Sequence, residues 1–168
     1  MRVMDVILAF PGIIFAIWLV GMLGPSLQNV IIAIGLWSVP TFARLARGST
    51  LSVRELDYIT AERCIGARHG RILFRHVFPN VTAPLVVMGT MSISSAIITG
   101  ASLSFLGLGV RPPSPEWGAM LSEGRSFLRT AWWAAFFPGA VITVVVLAAN
   151  LIGDGLRDAL DPRVRGSH

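Results

Sequence analysis

The sequence predicts an all-α integral membrane protein with about four transmembrane helices. Its 168 residues are 54% hydrophobic and 14% charged, with a mean hydropathy of +0.69, whereas soluble domains carry about 25% charged residues. The charges are also clustered, and three long stretches contain none: 6–43, 77–110 and 130–153. A bilayer core needs about 20 apolar residues per helix, so these stretches have room for two, one and one spans.

The first uncharged stretch divides at a turn-rich break. Residues 24–29 read Gly-Pro-Ser-Leu-Gln-Asn, where a helix is expected to stop. This predicts a hairpin of two spans over about 4–23 and 28–47. Pro11 and Pro40 lie inside these spans, and prolines are tolerated in membrane helices whose neighbours satisfy the freed backbone groups.

The other two spans are predicted over about 80–105 and 131–153, separated by an outer loop, 106–130, and followed by a tail, 154–168. Small residues recur at every fourth position of the third span: Ser92, Ala96, Gly100 and Ser104. They share one helix face and allow another backbone to approach closely. This face is interpreted either as a static packing seam or as a seam that moves during gating.

The arginines predict the orientation in the membrane. All 14 basic residues are Arg. Four spans place eleven of them on the side that holds both termini and the loop 48–79, and three on the other side. Because basic residues are enriched in cytoplasmic loops, both termini and this loop are predicted to be cytoplasmic. The net charge of +5 is then explained by basic residues in cytoplasmic segments and does not indicate nucleic-acid binding.

The composition also excludes several kinds of chemistry. Without lysine the chain has neither the Walker A loop of a nucleotide-binding domain nor a Schiff-base lysine, so ATP that drives transport must be bound by another chain. One cysteine, Cys64, excludes an internal disulfide, and His69 and His76 alone make a poor metal site. No catalytic residue, metal or cofactor is predicted, and the chain is not expected to be an enzyme.

The loop 48–79 carries the most informative pattern. Its apolar positions recur at helical spacing on either side of Gly66: Tyr58, Ala61, Ile65, Ile72, Leu73 and Val77. This predicts two short amphipathic helices joined near Gly66. Such an Arg-rich segment is suited to lying on a membrane surface and equally to docking on a cytoplasmic partner, and the periodicity leaves both interpretations open.

The same loop resembles the signature of the permease subunits of binding-protein-dependent ABC importers, a cytoplasmic segment of the form EAA-x3-G-x9-I-x-LP. Ala61, Gly66 and Pro79 stand at the family's spacing. Three positions depart from it: Thr60 in place of Glu, Glu62 in place of Ala, and His76 in place of Ile.

Longer stretches resemble one subfamily, the second permease of dipeptide, oligopeptide and nickel importers. They are residues 5–11, 75–80, 104–125 and 150–162. The resemblance covers essentially the whole chain and corresponds to the C-terminal part of family members, which carry a further N-terminal segment with a transmembrane helix.

The resemblance implies the permease core of a type I ABC importer with a cytoplasmic coupling-helix hairpin, in the bacterial inner membrane. Its expected partners are a second permease subunit in a heterodimer, cytoplasmic ATPase subunits, an outer substrate-binding protein and membrane lipid, with no nucleic acid. The residues expected to couple the permease to the ATPase are Thr60, Ala61, Glu62, Arg63, Gly66 and Pro79. Ala61 and Gly66 would allow close contact, whereas Glu62 and Arg63 either pair with charges on the ATPase or are solvated.

The function implied by the resemblance is import of di- or oligopeptides by alternating access. Two alternatives stay open: a permease of the same kind for nickel or another small solute, and a fragment that associates with a permease without transporting. An intramembrane serine protease is disfavoured because the small-residue run 100–104 does not contain a G-x-S-x-G motif.

Overall fold

The computed structural model describes residues 1–110 and 113–160, and these residues contain helices and no strand. The predicted tail beyond residue 160, and residues 111 and 112 of the predicted outer loop, lie outside the described part. In chain order the helices are α1 (Arg2–Leu8), α2 (Gly12–Leu23), α3 (Leu27–Arg54), α4 (Asp57–Cys64), α5 (His69–Ile72), α6 (Phe78–Phe105), α7 (Trp117–Gly124) and α8 (Trp133–Leu160). A π-helical turn, Leu73–Val77, joins α5 to α6, and a 3-10 turn, Arg125–Phe127, follows α7.

Three helices, α3, α6 and α8, are long and apolar enough to cross a membrane. Each has 28 residues, so each is about 42 Å long, longer than a hydrocarbon core of about 30 Å. The central helix is α6, which packs against both α3 and α8. Ser94 of α6 donates a hydrogen bond to the Val146 carbonyl of α8 (3.2 Å), and Gly153 of α8 lies against Met91.

The segment predicted as one span over 4–23 is two helices in the structure, with an angle of 92° between α1 and α2. The break lies at Pro11, which caps α2 with an extended ψ of 133° and lacks the N–H that would continue the helix. Asp5 of α1 forms an ion pair with Arg44 of α3 (2.5 Å). The helix α1 is therefore tied to the arginine-rich end of α3, and α2, about 18 Å long, turns away from it.

The other helices keep their prolines inside, since Pro40, Pro84 and Pro138 lie within α3, α6 and α8. Whether a proline bends or breaks a helix thus depends on its surroundings. Gly12, the residue after Pro11, packs against the Trp37 ring, and a Cβ there would lie 2.6 Å from a ring carbon. Glycine at this position therefore allows the chain to turn beside Trp37.

The predicted outer loop, 106–130, contains a helix that the sequence analysis missed. The carboxylate of Glu116 accepts a hydrogen bond from the Ala119 N–H (2.8 Å) and caps the start of α7. Gly118 and Gly124 of α7 are buried, and a Cβ on either would collide with the backbone of α6 or α8. Two glycines therefore let α7 lie directly against the long helices.

Two small cores hold the bundle together. The first joins α2, α3 and α6 through Ala16, Val20, Val30, Ala33 and Leu103. The second lies at the arginine-rich end, around the short helices of the loop, and consists of Val53, Ile59, Ile72, Val77 and Val81. Most large apolar side chains on the long helices are exposed, which is the surface expected of helices that face lipid or further helices.

Candidate functional site

The loop between α3 and α6 folds as the predicted pair of short helices, α4 and α5, joined around Gly66. Gly66 has a φ of +80°, the left-handed conformation that glycine adopts without steric cost. Its N–H donates to the Arg63 carbonyl (3.0 Å), and the Ala67 N–H donates to the Glu62 carbonyl (3.0 Å). These two bonds form a Schellman motif, so Gly66 ends α4 and fixes the direction of the following chain.

One face of α4 is anchored to the long helices through Ile59, whose side chain is fully buried. Ile59 packs in the second core with Val53 near the end of α3, Ile72 of α5, and Val77 and Val81 at the start of α6. This core therefore joins α4 to residues of both long helices.

Only part of the predicted apolar face of this loop is buried within the chain. Ile72 and Val77 are buried, but Leu73 is exposed, as are the α4 residues Tyr58 (42%) and Ile65 (78%), with Ala61 beside them. The buried position of α4 is Ile59, which the periodicity did not select. The apolar face that the sequence indicated is therefore the one that α4 presents outward.

A polar cluster reinforces the anchor on the neighbouring face of α4. The His76 Nε2 lies 3.3 Å from the Glu62 Oε1, and both side chains are about one-fifth exposed. The Tyr58 ring packs at a tilt against His76, with 5.8 Å between ring centroids. Asn80, in the first turn of α6, donates to the His76 carbonyl (2.7 Å) and to the Tyr58 hydroxyl (3.4 Å). Glu62 thus contacts this chain's own histidine, which ties α4 to the start of α6.

The outward surface of α4 combines small, apolar and basic side chains. Among its exposed residues are Thr60, Ala61, Arg63 and Cys64, with Ile65 directly after the helix, and Arg63 forms no ion pair with a described residue. We call this set the α4 face. An exposed apolar and cationic patch on a short, internally anchored helix is a surface suited to a protein partner.

The second short helix, α5, continues into the long helix α6. From His69 to Phe105 the chain is helical over 37 residues, and the π turn Leu73–Val77 lies just before the exposed Pro79. Pro79 lacks the N–H that a regular α-helical ladder needs at that point, and π turns accommodate such interruptions. The end of α4 is therefore connected to α6 by helical structure except at residues 65–68.

The four small residues predicted as a packing seam lie along α6, on the side of α2 and α3. Gly100 lies closest to Ile34 and Val30 of α3, at van der Waals distance from where its Cβ would be. Ser92 and Ala96 line a cavity of about 240 Å³ between α2, α3 and α6. Ser104 is buried beneath Gly109. The seam is thus closed near Gly100 and open around Ser92.

The described residues contain no group of three or more His, Cys, Asp or Glu side chains that could hold a metal ion. The polar cluster of the loop has one carboxylate and one imidazole within contact distance, which is fewer ligands than a protein metal site uses.

The sequence profile of the binding-protein-dependent transport system inner membrane components matches residues 1–166. The dipeptide transport system permease of Alkalihalophilus pseudofirmus is 51% identical over 164 residues, 98% of this chain and 54% of the relative. The glutathione transport system permease of Salmonella typhimurium is 52% identical over 166 residues, 99% of this chain and 55% of the relative.

A third relative, the di/tripeptide transport system permease of Pseudomonas aeruginosa, is 49% identical over 167 residues, 99% of this chain and 55% of the relative. The chain therefore spans about half the length of the curated relatives it matches. Identity at this level over nearly the whole chain is far above the range in which folds diverge.

Proposed function

Because the chain belongs to the family of binding-protein-dependent transport system inner membrane components, we propose that it forms part of the membrane path of an ATP-driven importer. In this role the long helices line or support the path, and a separate ATPase supplies the energy. The chain itself is a transport component and not the hydrolase.

The observation that carries this proposal is the construction of the loop between α3 and α6. The helix α4 is anchored to both long helices through Ile59 and the Glu62–His76 contact, yet its outer face is unoccupied by any described residue. A rigid helix with an anchored side and a free side can convert the movement of a docked partner into movement of the spans. We assign the α4 face, with Gly66 after the end of α4 and Pro79 in the first turn of α6, as the ATPase-docking surface.

The arginines support a cytoplasmic position for this surface. The antiparallel order of α3, α6 and α8 puts the end of α3, the loop, the start of α6 and the end of α8 on one side. Nine of the described arginines lie on that side: Arg2, Arg44, Arg47, Arg54, Arg63, Arg68, Arg71, Arg75 and Arg157. The other side has Arg125 and Arg129. By the enrichment of basic residues in cytoplasmic loops, the loop and both termini are cytoplasmic in this proposal.

The proposed substrates are di- and oligopeptides. The three relatives described above are named for transport of dipeptides, glutathione and di/tripeptides. In the proposed assembly an outer binding protein delivers the peptide, and a second permease subunit completes the path.

Co-purification with the ATPase tests the docking assignment. The chain is expressed with its neighbouring permease and ATPase subunits, as wild type, as Ala61→Trp on the α4 face, and as Ala159→Trp, an equally exposed alanine near the end of α8 on the same side. Since both alanines are exposed, neither change disturbs packing. The ATPase is expected to co-purify with the wild type and with Ala159→Trp, and to be lost with Ala61→Trp.

Equal recovery of the ATPase with all three chains would refute docking on α4. If no ATPase is recovered with any of them, although the chains insert in the membrane, the transport role proposed for this chain is wrong and the fragment alternative takes its place.

A further inference from the structure

A second, larger groove lies among α3, α6 and α8, away from the α4 face. Its volume is about 800 Å³, and its walls are mostly apolar, with Phe42, Val87, Met88 and Leu160 among the lining residues. It opens to the surface of the bundle along the half of the helices that ends at the arginine-rich side.

The serine hydroxyl groups in this groove are already engaged. Ser38 donates to the carbonyl of Ile34 (2.8 Å), and Ser92 and Ser95 donate to carbonyls of their own helix at 2.7 and 2.9 Å. Asn80, at the mouth, uses its amide nitrogen within the polar cluster of the loop. The indole N–H of Trp37, which also lines the groove, is buried without a hydrogen-bond partner, and the rest of the walls are mostly apolar.

Arg157 is the only charged side chain among the described residues that line the groove. It lies one helical turn beyond Gly153, the last buried residue of α8, where the span reaches the arginine-rich side. The neighbouring carboxylates Asp154 and Asp158 do not line the groove and form no ion pair with Arg157. One end of the apolar groove thus presents a cation at the arginine-rich end of the long helices.

We propose that this groove binds one anionic phospholipid, with an acyl chain along the apolar walls and the phosphate on the Arg157 guanidinium. The planar donor pattern of arginine matches phosphate oxygens, and basic pockets between membrane helices are sites for anionic headgroups. The groove shares only Pro79 with the residues assigned to ATPase docking, and the lipid site does not depend on the transported substrate.

Native mass spectrometry of the purified chain in mild detergent tests the proposal. The chain is titrated with phosphatidylglycerol and, separately, with phosphatidylcholine of the same acyl chains, and bound lipid is counted. Phosphatidylglycerol is expected to bind more tightly. Arg157→Gln lowers its affinity about 10-fold, the effect of losing one charge-assisted hydrogen bond, and Arg157→Lys restores part of it.

Two further variants separate charge from shape. Arg47→Gln removes an exposed arginine at the same side of the bundle that does not line the groove, and it is expected to leave both affinities unchanged. Ala83→Phe fills the groove from α6 and is expected to lower the binding of both lipids. Each variant is first checked for wild-type helical content and a single elution peak, and Ala83→Phe and Arg157→Lys decide the question should Arg157→Gln not fold.

Three results would overturn the proposal. Equal affinity for the two lipids would remove the role of the charge, and equal effects of Arg157→Gln and Arg47→Gln would remove the role of Arg157. Release of bound phosphatidylglycerol on assembly with the second permease subunit would show that a protein helix, and not a lipid, occupies the groove in the transporter.

Discussion

Ile59 shows how a single residue determines the geometry of the candidate site. It is the one fully buried side chain of α4, and it packs on residues from α3, α5 and α6. This core lies beside the exposed loop and not among the lipid-facing parts of the long helices. Folding therefore removes its apolar side chains from water, and the hydrophobic effect stabilises the core.

Ile59→Ala is expected to destabilise the attachment of α4 by about 2–5 kcal/mol, because it leaves a cavity in the second core. Hydrogen exchange of the α4 amides in the purified chain measures the effect, which appears as faster exchange in residues 57–64. Ile65→Ala on the same helix is the matched control, since Ile65 is 78% exposed, and its exchange should equal that of the wild type. Equal exchange in both variants would mean that Ile59 is not the anchor.

The sequence pattern does not identify Ile59 as the buried residue of α4. The short helix α4 carries apolar side chains on two faces, Ile59 on one and Tyr58 with Ile65 on the other. Helical periodicity favours Tyr58 and Ile65 as the apolar face. Which side chain is buried depends instead on residues from distant parts of the chain, Val53 and Val81 among them.

At the scale of elements, the end of α4 depends on the backbone conformation of Gly66. The Schellman motif there needs a positive φ, and a Cβ in that conformation costs about 1–2 kcal/mol. A Cβ at Gly66 would meet no neighbouring atom, so the cost of a substitution is conformational and not steric.

Gly66→Ala is therefore expected to destabilise the junction of α4 and α5 by about 1–2 kcal/mol. Gly70→Ala is the control: Gly70 lies within α5, has no positive φ and also has open space at its Cβ, so alanine there should be neutral or slightly stabilising. Limited proteolysis in residues 57–72 compares the two. Equal cleavage rates would show that the positive φ is not needed to end α4.

The break at Pro11 and the helix α7 mark the limit of sequence reasoning for elements. Proline is compatible with both a bend and an unbroken helix, as Pro11 and Pro40 show within one hairpin, and the outcome depends on Gly12 fitting under Trp37. The sequence signals for α7 were the possible cap Glu116 and the glycines 118 and 124, but their role becomes evident only when α6 and α8 lie beside them.

For the whole molecule, the strongest sequence signal was the segregation of charge. Long uncharged stretches correspond to the three helices long enough to cross a membrane, because lipid tolerates few charges along a helix. The family and the loop helices were also predictable, since the loop spacing of Ala61, Gly66 and Pro79 is local in sequence. The cavity around Ser92 and the groove at Arg157 could not be predicted from the sequence, because both depend on how α2, α3 and α8 pack around α6.

We propose that α4 lies in the cytoplasm and carries the docked ATPase, and labelling of Cys64, the single cysteine of the chain, tests this arrangement. Cys64 is exposed on the α4 face and reports on that face without any substitution. A membrane-impermeant maleimide is applied to intact spheroplasts, to inverted vesicles, and to inverted vesicles that also contain the ATPase. A Cys64→Ser chain with Ser126→Cys, exposed beside α7 on the opposite side, is the reference.

Cys64 is expected to be labelled in inverted vesicles, to stay unlabelled in intact spheroplasts, and to react more slowly when the ATPase is present. The cysteine at position 126 should show the opposite sidedness and no effect of the ATPase. Labelling of Cys64 from outside intact cells, or an unchanged rate in vesicles to which the ATPase is bound, would contradict this arrangement.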